Sequence, residues 1–258
     1  MGGQGVPEPV PVLRVATYNI RKSIGLDWRR EPRRILSVLS ALRADVVALQ
    51  EADQRFGGRR STLGHDLLHA SGWQVAALAK HDGGIGWHGN ALLVRPPIAI
   101  EATHTITLPT LEPRGAVAAD LAVDGIRLRI VGVHLGLTKG MRRRQAKAIL
   151  AALESMAPLP TVLMGDLNTW QPSGATIMIL NDRFSFAPPR SSFHASRPVA
   201  PLDRIAVSGP ITLRHHGVHR TGEAVVASDH LPVWADVAVE DRQDVTPAEA
   251  AIGAATVE

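Results

Sequence analysis

Short apolar runs that stop on a polar side chain constrain this chain more than any other feature. The clearest lies within residues 159–170, where the run 161–164 is bounded by Pro160 and Gly165 and followed at once by Asp166 and Asn168. A run of that length between a proline and a glycine reads as a buried strand that ends in a turn. In a layered α/β protein, the crevice beyond a strand's end is where ligands are held. Taken alone, Asp166 and Asn168 read better as an Asx-rich turn whose side chains cap local backbone. Four other strand-like runs end in the same way, and that repetition shifts the weight toward a site.

In chain order, residues 12–20 read as a strand that terminates at Asn19. Pro32 then opens a helix with Ile35, Val38, Leu39 and Leu42 in one apolar stripe. Residues 44–49 form a second buried strand that runs into Gln50 and Glu51. A charged loop (55–60), a helix (63–70) and a strand (73–79) follow. The glycine-rich loop 83–89 carries Trp87 and His88 and leads to the apolar run 91–94 and a strand over 98–107. Asp124-Gly125, between strands 115–123 and 126–133, is a two-residue hairpin signal, and the second strand ends on His134. A helix from Lys139, striped by Ala146, Ile149, Leu150 and Leu153, precedes the Asp166 strand. Beyond it come a short helix (173–181), a polar, proline-rich loop (183–201) and strand 202–207 with Asp203 at its start. An edge strand (211–219), Ser228-Asp229-His230 and a closing strand (232–239) complete the pattern. Hairpins mixed with strand–helix–strand units predict mixed sheets with helices packed outside, in one domain over 12–240. Residues 1–11 read as a loose arm and 241–258 as a frayed tail. The hairpin and the missing glycine-rich phosphate loop disfavour a doubly wound parallel sheet.

Of the 258 residues, 45% are hydrophobic and 20% charged, and no apolar run reaches membrane-spanning length. Cysteine is absent, which excludes disulfides and thiolate metal sites. The first residues have neither a basic start nor an apolar core, so a cytoplasmic monomer is expected, though an exported protein without disulfides would look the same. The net charge of +4 and a pI near 10.1 favour polyanionic or membrane-surface partners. Arginine supplies much of it, at residues 29–30, 33–34, 59–60 and 142–144. Each cluster taken singly reads as a solvated face.

Collected, the strand-end residues are Asn19, Glu51, His134, Asp166, Asn168, Asp229 and His230, with Asp203 one step into its strand. Oxygen donors without cysteine suit a hard cation, Mg²⁺ or Mn²⁺, with Ca²⁺ a further candidate, rather than zinc. No His-Glu-x-x-His pair supports a zinc hydrolase and no Gly-x-Ser-x-Gly elbow supports a serine hydrolase. Each residue also has an ordinary reading: Asn19 and Asn168 as turn caps, Glu51 as a surface charge, His134 as a satisfied strand-end histidine. The other histidines read as surface or core residues and the five tryptophans as core.

Six motifs stand in order along the chain: Tyr18-Asn19-Ile20-Arg21, Leu49-Gln50-Glu51, Val133-His134-Leu135, Gly165-Asp166-Leu167-Asn168, Leu202-Asp203-Arg204-Ile205 and Ser228-Asp229-His230-Leu231-Pro232. Each is weak alone, but together they resemble the endonuclease/exonuclease/phosphatase superfamily, the DNase I-like proteins, over residues 12–239. That resemblance implies a four-layer α/β sandwich, two mixed β-sheets flanked by helices, and metal-dependent cleavage of a phosphoester. It implies Glu51 as the main Mg²⁺ (or Mn²⁺) carboxylate, assisted by Asn19 and Asp229. Asp166 would orient and deprotonate the attacking water, and Asn168 would hydrogen-bond the phosphoryl group. His230, oriented by Asp203, would contact the phosphate, while His134 would do the same or protonate the leaving oxygen. Arg21 and Arg114 are phosphate contacts in this scheme.

The substrate stays open between two chemistries. The positive charge supports a nuclease, because phosphate contacts dominate nucleic-acid affinity. The compact loops support a phospholipid or other small-phosphodiester hydrolase, with peripheral membrane contact accounting for the same charge. The first motif departs from the Asn-x-Asp of the abasic-site endonucleases. A catalytically silent phosphate- or lipid-binding relative is the alternative from another class.

Overall fold

The computed structural model describes residues 11–54, 60–110, 112 and 114–239. The expected tail, all of the arm but Pro11, and most of the charged loop 55–60 lie outside the described residues.

Strands β1 (Val12–Asn19), β2 (Val46–Gln50), β3 (Gln74–Val75), β4 (Ala91–Val94), β11 (Ile211–Val218) and β12 (Val233–Val239) make one sheet, in the order β11-β12-β1-β2-β4-β3. Strands β5 (Ala99–Thr107), β6 (Gly115–Val123), β7 (Ile126–His134), β8 (Thr161–Asp166), β9 (Ser185–Phe186) and β10 (Asp203–Ser208) make the other, in the order β5-β6-β7-β8-β10-β9. Each sheet has one parallel pair, β1/β2 and β7/β8, among antiparallel neighbours. Helix α1 (Pro32–Leu42) connects the first pair and α3 (Lys139–Glu154) the second, as parallel strands require. The other helices are α2 (His65–Ala70), α4 (Ala175–Asn181) and α5 (Ala224–Ala227).

Why the strands read as unbroken apolar runs follows from burial on both faces. Val15, Val46, Ala48, Val117, Ile130, Val162 and Met164 point between the sheets. Their neighbours Ala16, Tyr18, Val47 and Leu49 point outward onto Ile35, Val38, Leu39 and Leu42, the expected stripe of α1. On the opposite side Val131, Val133 and Leu163 meet Ala146, Ile149 and Leu153 of α3. The result is four layers, helices–sheet–sheet–helices, which is the DNase I-like arrangement.

Local signals hold at the turns. Asp124 and Gly125 both have positive φ, 48° and 79°, as a primed hairpin turn demands. Pro32 occupies the first turn of α1, and Glu31 caps it by accepting from Arg33 N. The expected strand over 73–79 shrinks to Gln74–Val75, paired with Val94 and Leu93 of β4, with one further bond from Ala76 N to Leu92 O. Within the supposed loop 183–201, Ser185–Phe186 adds a short strand against β10.

Candidate active site

Both parallel pairs run toward one end of the sandwich, so their C-terminal ends bring Asn19, Gln50, His134 and Asp166 together. In register, Asn19 stands beside Gln50, and Asp166 stands between His134 and Asp203. One hydrogen bond joins the two sheets there: Asn19 Nδ2 donates to Asp166 Oδ2 at 3.0 Å. Gly165, just before Asp166, lets β8 lie close against β7, since a Cβ there would fall 1.9 Å from Val133 O.

Beyond β1 the chain turns through Arg21, Lys22 and Ser23, all at positive φ (46°, 55° and 60°). None is glycine, so the turn costs about 1–3 kcal/mol per residue. It is held by Ser23 N to Ile20 O (2.7 Å) and Lys22 N to Glu51 O (3.0 Å). Glu51 itself sits at φ 53°. The strain turns two cations onto two carboxylates: the Lys22 ammonium pairs with Glu51, and Arg21 Nε lies 3.5 Å from Asp229 Oδ2.

Asp166 divides its oxygens. Oδ1 accepts from Asn168 N at 2.9 Å, the Asx turn expected of this sequence. Oδ2 faces the site, where His134 Nε2 is 3.4 Å away and His230 Nε2 3.8 Å. Asn168, at φ 50°, donates from Nδ2 to Leu135 O (2.9 Å) and so ties the β8 turn to the β7 turn. Across from it, Ser192 Oγ donates to Asp203 Oδ2 (2.5 Å), which pairs in turn with His230 Nδ1 at 2.8 Å. Ser228 Oγ anchors the Ser-Asp-His turn to Asn19 O at 2.7 Å. The Arg114 guanidinium lies against the ring of His134, with Nη1 2.6 Å from Nδ1. Asp166, Asp203, His134, His230, Asn19 and Arg114 are all buried.

Charges in this dry cluster act strongly on one another. Burial alone would raise the Asp166 carboxyl, but the charges of His230 and His134 and the Asn168 N–H outweigh it and hold the group well below the usual carboxylate range. Burial opposes charge on His230 too, yet Asp203, Asp166 and Asp229 carry it up to about 10. Burial raises the Asp203 carboxyl, with His230 opposing. His230 is therefore a cation at neutral pH, held between Asp203 and Asp166.

The ligand atoms of Asp166, Asp203 and His230 lie within 4.8 Å of one another, a cluster that could hold a metal ion. Asn19 adjoins this cluster through its bond to Asp166, while Glu51 and Asp229 carry the Lys22 and Arg21 ion pairs. Beside Glu51 a small cavity of about 40 Å³ is lined by Lys22, Trp87, His88, Arg114 and His134. Gly115 lets the glycine-rich loop pack there, since a Cβ on it would come 3.1 Å from Trp87.

Two sequence readings change. His88, read as surface or core, lines this cavity. Of the tryptophans, Trp73 is core, but Trp28 and Trp170 are exposed. Lys22 and Ser192 were not singled out by sequence, and Ser228 only as part of a motif. Lys22 follows a recognised motif and could have been found, whereas Ser192 lies in a polar loop with no local signal.

A family model described as the Endonuclease/Exonuclease/phosphatase family matches residues 16–230. YbhP of Escherichia coli (strain K12), an uncharacterized protein, is 30% identical over 255 residues, covering 87% of this chain and 96% of its own. The human Nocturnin catalytic domain, solved with a bound sulfate anion, superposes with a TM-score of 0.67 at 22% identity, covering 89% of this chain and 94% of that one. TDP2 of D. rerio, solved with a single-strand DNA product, gives 0.65 at 17% identity, covering 88% and 98%. The strand-end cluster, the paired six-stranded sheets and these matches agree: the chain belongs to the endonuclease/exonuclease/phosphatase family.

Proposed function

We propose that the chain is a divalent-cation-dependent phosphodiesterase in which water is the nucleophile. The observation that supports this most is the Asp166 carboxylate, buried and held ionised where Asn19, His134 and His230 converge. Family members are typically metal-dependent phosphoesterases.

A hard cation, Mg²⁺ or Mn²⁺, would be held by Glu51 with Asn19 and Asp229. The donor set fits: it is all oxygen, and each carboxylate already faces a cation, Lys22 or Arg21. Asp203 Oδ2 and His230 Nδ1 are already engaged with each other. Bound there, the metal would polarise a phosphoryl oxygen and offset the charge that builds on it. Asp166 Oδ2 orients the attacking water and takes its proton as the new phosphorus–oxygen bond forms. Its depressed pKa makes it a weak base in the resting site, so positioning is the larger part of its work. Cationic His230, fixed by Asp203, binds one non-bridging phosphoryl oxygen and Arg114 another. Asn168 adds a hydrogen bond to the phosphoryl group, and Arg21 a charge at its edge. His134 gives its proton to the leaving oxygen as that bond breaks.

The test is hydrolysis of a soluble aryl phosphodiester, a supercoiled plasmid and a phospholipid in Mg²⁺, Mn²⁺ or EDTA, with Asp166→Ala as blank. Metal-dependent turnover of any of them, absent from the blank, is expected. Phosphate or lipid binding without turnover would instead make the chain a silent binder.

A further inference from the structure

Around the mouth of the site, three large apolar side chains face solvent: Trp28 is 77% exposed, Leu137 62% and Trp170 60%. Each sits on a loop that follows a site-bearing strand: β1, β7 and β8 respectively. Their placement is fixed by contacts. The Trp28 ring lies 4.6 Å from the Arg21 guanidinium, which pairs with Asp229. On the other side, the Trp170 ring lies 6.1 Å from that of Phe193, which is 4.9 Å from the ring of His230. The two indoles thus flank consecutive residues of the site. Leu137 stands three residues past His134, its carbonyl held by the buried Arg142 at 2.5 Å, so the loop is fixed with the side chain outward.

Single exposed apolar residues are ordinary, but three around one opening are not. Basic residues sit beside them: Arg29 and Arg30 follow Trp28, while Lys139, Arg143 and Arg144 follow Leu137, all exposed. Indole rings settle at the water–lipid boundary, and lysine and arginine are drawn to anionic headgroups. Single-stranded nucleic acid also uses aromatic rings and arginines. Two details favour lipid: aliphatic Leu137 has no face on which a base can stack, and Arg21 already lies over the Trp28 ring. No helix among the described residues is long and apolar enough to cross a membrane, so the contact would be peripheral.

We propose that this rim docks onto an anionic lipid surface, with Trp28, Leu137 and Trp170 entering the headgroup layer and the site mouth facing lipid phosphates. Hydrolysis of those phosphoesters rests on the phosphodiesterase reading; the docking itself does not. The experiment is co-sedimentation of the protein in EDTA, where turnover plays no part. The vesicles are phosphatidylcholine alone or mixed with phosphatidylglycerol. Binding to the mixed vesicles with a blue shift of tryptophan emission is expected. The triple variant Trp28→Ser, Leu137→Ser, Trp170→Ser should bind at least tenfold more weakly while keeping the wild-type circular dichroism and aryl phosphodiester rate. Leu137→Ser alone, which touches no ring, serves if the triple variant folds poorly, and should also weaken binding. No binding to mixed vesicles, or undiminished binding by the variants, overturns the proposal. So does a single-stranded oligonucleotide whose binding, but not that of vesicles, depends on the three residues. Vesicle binding without hydrolysis of any phosphodiester would sink the phosphodiesterase reading and leave docking in place.

Discussion

Asp166 serves two functions with its two oxygens: Oδ1 caps the turn to Asn168, and Oδ2 faces the site. The turn-cap reading of the sequence therefore holds for one oxygen and leaves the other to face the site. Asp166→Ala should lower kcat about 10²–10⁴-fold, and so should His230→Ala, with circular dichroism unchanged; near-wild-type turnover in either would remove the proposed roles. The pH dependence follows from His230. Its folded pKa, about 10, lies above its ordinary 6.5. The charge-linked stabilisation is thus complete below about 6.5 and is lost as pH rises through about 10. Activity that needs the imidazolium should hold to pH 9 and fall above it. Asp203→Asn removes a carboxylate that raises His230, so the alkaline limb of the profile should move to lower pH; an unmoved limb would detach Asp203 from this role.

Hairpin β6–β7, which ends on His134, carries an ion pair of its own. Arg129, 1% exposed, donates from Nε to Asp120 Oδ1 at 2.6 Å and from Nη2 to Oδ2 at 2.9 Å. Burial alone would raise the Asp120 carboxyl, but Arg129 holds it below its ordinary value. A depressed carboxyl stabilises the fold above its unfolded pKa, and that contribution is lost as pH falls through the folded value. Asp120→Asn should cost about 3–5 kcal/mol, because it strands a buried guanidinium. Urea unfolding at neutral pH measures it, and a loss near zero would mean that water or backbone satisfies Arg129 instead. The turn at Arg21–Ser23 works differently, holding local strain to aim two cations at the mouth of the site.

At the scale of the molecule, the site lies on the seam between two sheets, and the Asn19–Asp166 hydrogen bond crosses it. A cation bound there touches the folded protein alone and should raise its stability by about 2.7 kcal/mol at a concentration 100 times its Kd. Thermal unfolding should therefore shift upward with Mg²⁺ or Mn²⁺, and Glu51→Ala should lose most of the shift. An equal shift in wild type and variant would place the cation elsewhere, with the Asp166, Asp203 and His230 cluster the next candidate.

The sequence by itself determined the longer strands, the two central helices and the polar residues that end β1, β2, β7 and β8. Those depend on periodicity, turn residues and short motifs, all of which act within a few residues. It also determined the Asp124-Gly125 hairpin, because two successive positive-φ positions leave few residue choices. Tertiary structure alone decided which strand ends meet. Residues 147 positions apart, Asn19 and Asp166, touch only because two separately formed sheets stack face to face. It also decided that Ser192 supports Asp203, that His88 lines the cavity and that Trp28 and Trp170 face solvent. Burial is a property of what packs against a residue, and a tryptophan in a short loop carries no periodic neighbours that foretell it.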